Sequence, residues 1–505
     1  RAFVTVRIKL CFFIYVISKW RGQHRTASTL VDLKDAKPYE SIPGLSSLPL
    51  IGPIHHFLPV IGLLYKDFNY AQLFGKLGNF NKKYGPIVKM KGALGRTDLV
   101  FLFEPDHFEQ VFRAEEVMPH RYGSQTITHY REVYRKDVFG DVQGLITANG
   151  HQWRDMRTKV NPAMLKPKLV TLYKPGLDDI ANDMVAKMKD EPDFGDKLQL
   201  EMTKWALESV AFVGLGARIG CLDDDLPEDH PGKQLIDCAH TIFDLSFKLE
   251  IMPSIWKIYP TRNYKKMMEV LDRQWDTAYL IEARKNIEAR GHDIPEEEKG
   301  IIEKLLATDE KVAIMMANDM LLAGIDTVSF MSLNVLYHIA INPRVQEKLR
   351  EEINTGDSSR YLKACIKEAS RIYHVVPANL RRITKDHVVG GYHIPAGVDV
   401  VSPNEYLSNL DKYYPRAKEF LPERWLVEKS DPLYHGKTHP MVTMPFGFGV
   451  RSCIGRRIAE QEIQLLMKRL IEKYQVTWEG APVKVVTKLL NSFPNPLHFK
   501  FTEVK

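Results

Sequence analysis

Residues 445–457 read Pro-Phe-Gly-Phe-Gly-Val-Arg-Ser-Cys-Ile-Gly-Arg-Arg, and they constrain the chain more than any other stretch. A cysteine taken alone is more often a small buried hydrophobe than a ligand. Here Gly447, Gly449 and Gly455 flank Cys453 and let the backbone turn tightly beside something bulky. Such turns leave amide N–H groups near the sulfur. Arg451 and the start of a helix read from about Gly455 add positive potential, which lowers a thiol's pKa towards thiolate. The pattern therefore describes a soft metal ligand on a loop that leads into a helix.

The rest of the chain reads as mainly α with small β-sheets. A long helix is predicted over Asp309–Ile341, stopping before Asn342-Pro343, where proline disfavours helix at the preceding residue. Two shorter helices cover Arg344–Ile353 and Tyr361–Tyr373, and a last one carries Ala459, Ile463, Leu466 and Leu470 on one face. Strand-like pieces are Ile87–Met90, Leu99–Phe103, Val388–Ile394 and Val398–Val401. The five cysteines, at 11, 221, 238, 365 and 453, are scattered without a CxxC pair. That fits a reducing compartment better than a disulfide framework, and it offers no zinc spacing.

Net charge is +7, but residues 1–31 carry six cations and no acid, so the remainder is nearly neutral at +1. A nucleic-acid binder would spread basic residues over its folded surface, so nucleic acid is excluded as a partner. The apolar run Leu10–Ile17 has eight residues, against about 20 needed to span a bilayer. Residues 1–31 resemble a mitochondrial transit segment; a secretory signal, a clipped anchor or a disordered basic tail are the other readings. Residues 32–53 hold Pro43-Gly44 and Gly52-Pro53 and read as a stiff linker into a body spanning 54–505.

Further motifs follow in order. Trp153 and Arg157 sit one helical turn apart, which alone suits an ordinary amphipathic turn. Ala323-Gly324-Ile325-Asp326-Thr327 places a glycine in a helix interior, at about 1 kcal/mol relative to alanine, ahead of an acid and an alcohol. Glu368 and Arg371 are in pairing reach, though Glu132/Arg135 and Glu347/Arg350 share the spacing by chance. Arg381 and the segment Phe420-Leu-Pro-Glu-Arg424-Trp425 lie downstream.

Together with Phe446-x-x-Gly449-x-x-x-Cys453-x-Gly455, this series resembles the cytochrome P-450 family over nearly the whole chain. The resemblance implies one large haem domain, haem b held by Cys453 thiolate, and Phe446 packed against the ligand side of the macrocycle. It implies that Trp153, Arg157, Arg381 and Arg451 hold the propionates. Glu368, Arg371 and Arg424 become a buried network bracing the loop. At Ala323-Gly324 the helix makes room for dioxygen, Thr327 hydrogen-bonds it, and Asp326 helps relay protons. The implied reaction inserts one oxygen atom from O2 into an apolar bond of a lipophilic small molecule, xenobiotic or steroid-like. A haem-thiolate isomerase or dehydratase, and a non-catalytic haem or lipid carrier, are the alternatives.

Lys363 and Lys367 share a helix face just ahead of Glu368. Such lysines usually mark a solvated face. In mitochondrial members, lysines here dock an acidic ferredoxin, and Arg456 and Arg457 extend that basic face. The segment Trp153–Leu165 is similar to the insect mitochondrial group. The resemblance thus implies a ferredoxin of adrenodoxin type with its NADPH-dependent reductase, on the matrix side of the inner membrane; a reticulum membrane is the alternative. This chain carries no nucleotide-binding fingerprint, so the reductase is separate. Between Arg350 and Tyr361 the chain is about a dozen residues shorter than such proteins usually are, in a place where loops tolerate change. Residues 251–260, with Trp256 and Tyr259, suit either peripheral membrane contact or core. Segments 118–146, 240–260, 315–327, 374–380 and 490–497 are the expected substrate pocket.

Overall fold

Helix forms where apolar residues run longest, and the Glu310–Ala340 helix is the clearest case. Asp309 caps it, its carboxylate accepting from the Val312 amide at 3.2 Å. The helix is long and apolar enough to cross a membrane, but 78% of that stretch is buried inside the protein, so it is the core helix. The computed structural model describes residues 33–49, 52–53, 77–94, 96–114, 118–121, 123–189, 194–223, 225–277, 295, 299–356 and 359–504. The expected transit segment, 1–31, lies outside the described residues.

Helices Pro343–Thr355 and Arg360–Ile372 match the expected pair to within two residues, and Arg456–Lys473 starts one residue after Gly455. Strands β1 (Ile87–Met90), β2 (Leu99–Leu102), β3 (Asn379–Arg382) and β6 (Asp399–Ser402) form one sheet in the order β1-β2-β6-β3. Only β2 and β6 run parallel in it. The single strand expected over Val388–Ile394 is instead a hairpin, β4 (His387–Val389) and β5 (Tyr392–Ile394). Gly390 and Gly391 both take positive φ and turn the chain, a signal that outweighs the apolar run. Strand β7 (Tyr474–Trp478) pairs with β10 (Phe499–Glu503), and β8 (Val486–Thr487) with β9 (Asn491–Ser492).

Residues 37–44, read as linker, are tied to this β-rich part. Lys37 bridges Tyr392, Ile42 is buried, and Gly44 bridges Lys89 so closely that a Cβ would lie 1.8 Å from the Lys89 carbonyl oxygen.

Apolar side chains segregate into two cores. A large one joins the helices; a smaller one surrounds the β1-β2-β6-β3 sheet. Met441, Val442 and Met444 belong to the smaller core, while Ile458 and Ile463 belong to the larger. The cysteine loop therefore spans the seam between them. Within the larger core, Asn334 of the long helix donates to the carbonyls of Ala369 and Tyr373 at 3.0 Å each, fixing the long helix against the 360–372 helix.

Candidate active site

The loop closes on itself through Cys453 N–H donating to the Phe446 carbonyl at 2.9 Å. Gly447 and Gly449 sit at φ +71° and +72°, where only glycine is at ease. Gly455 does not share that reason. Its φ is −82°, and a Cβ there would meet nothing. What glycine preserves at 455 is open space beside the sulfur, not a turn.

Cys453 lies deep in the protein, and burial pushes its thiol upward. Yet its own surface is exposed. Both hold if the sulfur faces an internal space rather than bulk solvent. The expectation that local positive potential lowers this pKa is therefore corrected: desolvation outweighs it. The Gly455 and Arg456 amides and the Arg157 and Arg121 charges pull the other way. A metal would supply what the loop does not, since coordination deprotonates a thiol outright.

Four guanidinium groups ring the same space. Arg157, on the Gly150–Met164 helix, donates to the Ser452 carbonyl at 3.1 Å, and its Nε is buried with no hydrogen-bond partner. Arg381 donates to the Phe448 carbonyl and lies over the Phe112 ring. Arg451 donates to the Ala148 carbonyl at 2.6 Å and stacks 4.4 Å over buried Trp153. Arg121 was not foreseen. Burial and the Arg381 charge lower its pKa to about 10, and Cys453 opposes them. Cations packed this closely into a dry site suit a dianionic guest such as a pair of carboxylates. The open sulfur, the empty space at Gly455 and this cationic rim fit haem.

Below the loop, Glu368, Arg371 and Arg424 are fully buried. Glu368 accepts from Arg371 at 2.8 and 3.0 Å, from Arg424 at 2.8 Å, from Trp425 Nε1 at 2.9 Å and from the Leu421 amide at 3.2 Å. Each arginine also donates to backbone carbonyls, and both lie over the Tyr414 ring. The chance pairs behave otherwise. Arg135 turns to Asp272, and Arg350 to carbonyls near the end of the 456–473 helix.

The long helix is buried almost throughout, but Ala323 is exposed, and Gly324, Asp326 and Thr327 are half-buried. That local opening is where a substrate space would lie. Gly324 itself needs a different account from the one expected. A Cβ there would come within 2.6 Å of Val210, so this glycine admits the neighbouring Phe194–Leu215 helix. The long helix runs through it unbroken. Thr327 donates its hydroxyl to the Ala323 carbonyl at 2.6 Å. Asp326 pairs with His240 Nε2 at 2.9 Å, a residue inside the expected 240–260 pocket segment but not singled out within it.

On the opposite face, Lys363 and Lys367 are exposed, and Lys367 lies 5.7 Å over Trp425. Arg456 is less available than expected, because Glu460 accepts from it at 2.9 Å and it stacks on Phe446. Arg457 donates to the Leu165 carbonyl. In the 251–260 segment, Trp256 stacks on Tyr264 and packs on the core, whereas Ile258 and Tyr259 are 83% and 63% exposed. The two aromatics thus take the two opposite readings. Among the described residues Asp106, Glu109 and His439 gather as a metal site would. However, His439 Nδ1 accepts from the Met441 amide at 3.2 Å, so its proton sits on Nε2, which faces Glu109 at 2.9 Å. The ring nitrogen a metal would need is taken.

Comparison with known proteins agrees with this geometry. The cytochrome P450 profile matches residues 52–500. Probable cytochrome P450 49a1 of Drosophila melanogaster is 35% identical over 92% of this chain and 83% of its own length. Cytochrome P450 CYP12A2 of Musca domestica is 37% identical over 96% and 94%. Cytochrome P450 12b1, mitochondrial, of Drosophila acanthoptera is 36% identical over 88% and 86%. That family binds haem through a cysteine thiolate and consists of monooxygenases. A deep, open-surfaced cysteine on a glycine loop, ringed by arginines and matched over nearly its whole length, leaves one conclusion: this chain belongs to the cytochrome P450 family.

Proposed function

We propose that this chain is a mitochondrial monooxygenase that places one atom of O2 into a lipophilic small molecule, with Cys453 as the thiolate ligand and electrons supplied by a ferredoxin. The observation that carries the reading is the deep, open sulfur of Cys453 within a ring of four arginines. When bound, haem supplies the activation of dioxygen and the oxygen transfer, and the second oxygen atom leaves as water. Two electrons and two protons are consumed for each turnover. Arg121, Arg157, Arg381, Arg451 and Trp153 hold the propionate side, and Phe446, Gly449 and Gly455 shape the space by the sulfur. Glu368, Arg371 and Arg424 keep the loop in place, because a carboxylate bonded on all sides has no second position of similar energy. On the other side, Ala323 and Gly324 border the substrate space. Thr327 commits its hydrogen to Ala323, which leaves its oxygen lone pairs free to accept a hydrogen bond from a water. Asp326 moves protons inward.

The ferredoxin reading rests on Lys363 and Lys367, both exposed on the face opposite the buried Glu368. Mitochondrial location, on the matrix side of the inner membrane, draws on relatives named mitochondrial. Ile258 and Tyr259, apolar and outward, suit contact with that membrane. The experiment has two arms. Cys453→Ala should abolish the carbon-monoxide spectrum of thiolate-ligated ferrous haem; its persistence would remove Cys453 from ligation. The purified enzyme should turn over with ferredoxin and its reductase but not with a diflavin reductase. The reverse result would move the enzyme to the reticulum branch.

A further inference from the structure

We infer that His240 is the positioning residue through which Asp326 exchanges protons with solvent. The inference rests on the reading of Asp326 as the acid that moves protons towards the reacting oxygen. His240 belongs to the Pro231–Ser246 helix, which packs against the long helix. Its Nε2 lies 2.9 Å from Asp326 Oδ1. The two side chains differ in access: Asp326 is 18% exposed and His240 52%. On its outer side His240 lines an open cleft of about 480 Å³, together with Thr241, Asp244, Lys248, Arg262 and Lys266. The imidazole thus stands between an open cleft and an acid that is mostly covered.

The charges around it leave Asp326 as its partner. On its own helix, Asp244 is taken by Lys248 at 2.6 Å and Lys488 at 3.0 Å, and Asp237 is taken by Arg273. From the next helix, Arg262 and Lys266 face the cleft and oppose further positive charge there. Asp326 nevertheless raises the His240 pKa above its ordinary value, through the hydrogen bond first, against burial and with help from Asp237. An imidazole has two ring nitrogens, so a proton can enter at one and leave at the other. Water in the cleft gives a proton to Nδ1, the Nε2–H bond breaks, and the proton forms an O–H bond on Asp326 Oδ1. No electrons move in this transfer.

The test uses the haem-loaded enzyme with ferredoxin, its reductase and an alkoxycoumarin as a lipophilic probe. Dealkylated product and hydrogen peroxide are counted per electron consumed, from about pH 6 to about pH 9, spanning the usual histidine range. General acid–base groups contribute about 10²–10⁴-fold; with cleft water able to substitute, His240→Gln should lower product per electron by about tenfold. Glutamine keeps a hydrogen bond to Asp326 but does not titrate. The wild-type ratio should fall as pH rises through the raised His240 pKa, and His240→Gln should lose that limb. His240→Arg keeps a cation on Asp326 but holds its proton too tightly to pass on, so it should behave like glutamine.

A second measurement needs no turnover. A group whose folded pKa is raised stabilises fully below its unfolded pKa, and that stability is lost as pH rises through the folded pKa. The melting temperature of the wild type relative to His240→Gln should therefore fall with rising pH, and Asp326→Asn should erase that trend. If His240→Gln keeps both the ratio and its pH limb while Asp326→Asn loses them, the His240 inference is wrong and the role of Asp326 stands. If His240→Arg retains the wild-type ratio, the ion pair is only structural, and the inference fails. If Asp326→Asn itself matches the wild type, the parent reading fails and takes this one with it. A pH-independent melting difference would show that the pair does not form, which also overturns the inference.

Discussion

The two sides of the site handle charge in opposite ways. Beneath the cysteine loop, Glu368, Arg371 and Arg424 are wholly excluded from water, and Glu368 accepts five hydrogen bonds from four residues. On the long helix, Asp326 has one ionic partner among the described residues, and that partner is half open to a cleft. Burying three charges is expensive, and such networks are better explained by the geometry they enforce than by net stability. An acid that must gain and lose protons gives up that rigidity for access to solvent. On the proposed reading, fixed geometry and proton exchange occupy separate elements, the 360–372 and 310–340 helices, joined through Asn334.

Four changes test that contrast. Glu368→Gln has the largest expected effect, because it leaves two buried guanidinium groups without a counter-charge. Breaking a buried pair in this way costs about 3–5 kcal/mol, so folded, haem-loaded protein should fall sharply in expression and in thermal unfolding. If it melts like the wild type, the cysteine side is not the rigid one. Next, Arg121→Leu removes one charge-assisted hydrogen bond to an acidic guest, each contributing about 1.5–3 kcal/mol. Haem should leave faster to a scavenging acceptor, while the apoprotein should not lose stability, since a desolvated cation has gone. Unchanged or slower haem loss would take Arg121 out of the rim. Gly324→Ala comes third. Overpacking against Val210 costs about 1–3 kcal/mol, and better helix propensity returns up to about 1, so a modest net loss is expected in denaturant unfolding. A gain in stability would mean that the two helices do not need this close approach. Finally, Lys363→Gln with Lys367→Gln should change stability by no more than about 0.5 kcal/mol. Ferredoxin binding should weaken and lose salt sensitivity, with substrate affinity unchanged. Unaltered ferredoxin titrations would empty that face of its role.

Much of this was legible in the sequence because the informative residues repeat at helical spacing or sit in one loop. Cys453 with its glycines, Glu368 with Arg371, and the acid–alcohol pair are local patterns, and the structure brings Glu368, Arg371 and Arg424 into one buried cluster. Residues that act across distant segments had no such signal. His240 and Arg121 fall within the expected pocket segments 240–260 and 118–146, but the partners that single them out, Asp326 and Arg381, are met only through tertiary packing. Gly324 and Gly455 were found for a partly wrong reason: composition shows that a side chain is missing, not whether a turn, a neighbouring helix or a ligand excludes it. The β4–β5 hairpin was hidden because an apolar run outweighed two glycines in the reading, whereas in the chain the glycines decide.

The brief link between the Pro343–Thr355 and Arg360–Ile372 helices has a consequence for how the chain folds. Gly356 ends the first helix at φ +70°, and the Glu352 carboxylate accepts from the Tyr361 and Leu362 amides at 2.7 and 3.0 Å, tying the first helix to the start of the second. Loop-closure entropy grows by about 0.6 kcal/mol per doubling of length, so a link about four times longer would add roughly 1.2 kcal/mol to the closing step. With only residues 356–359 between them, the two helices meet as near neighbours along the chain. Contacts of low sequence separation form early, so this helical pair is suited to nucleate the region before the distant Arg424 segment arrives to complete the Glu368 network.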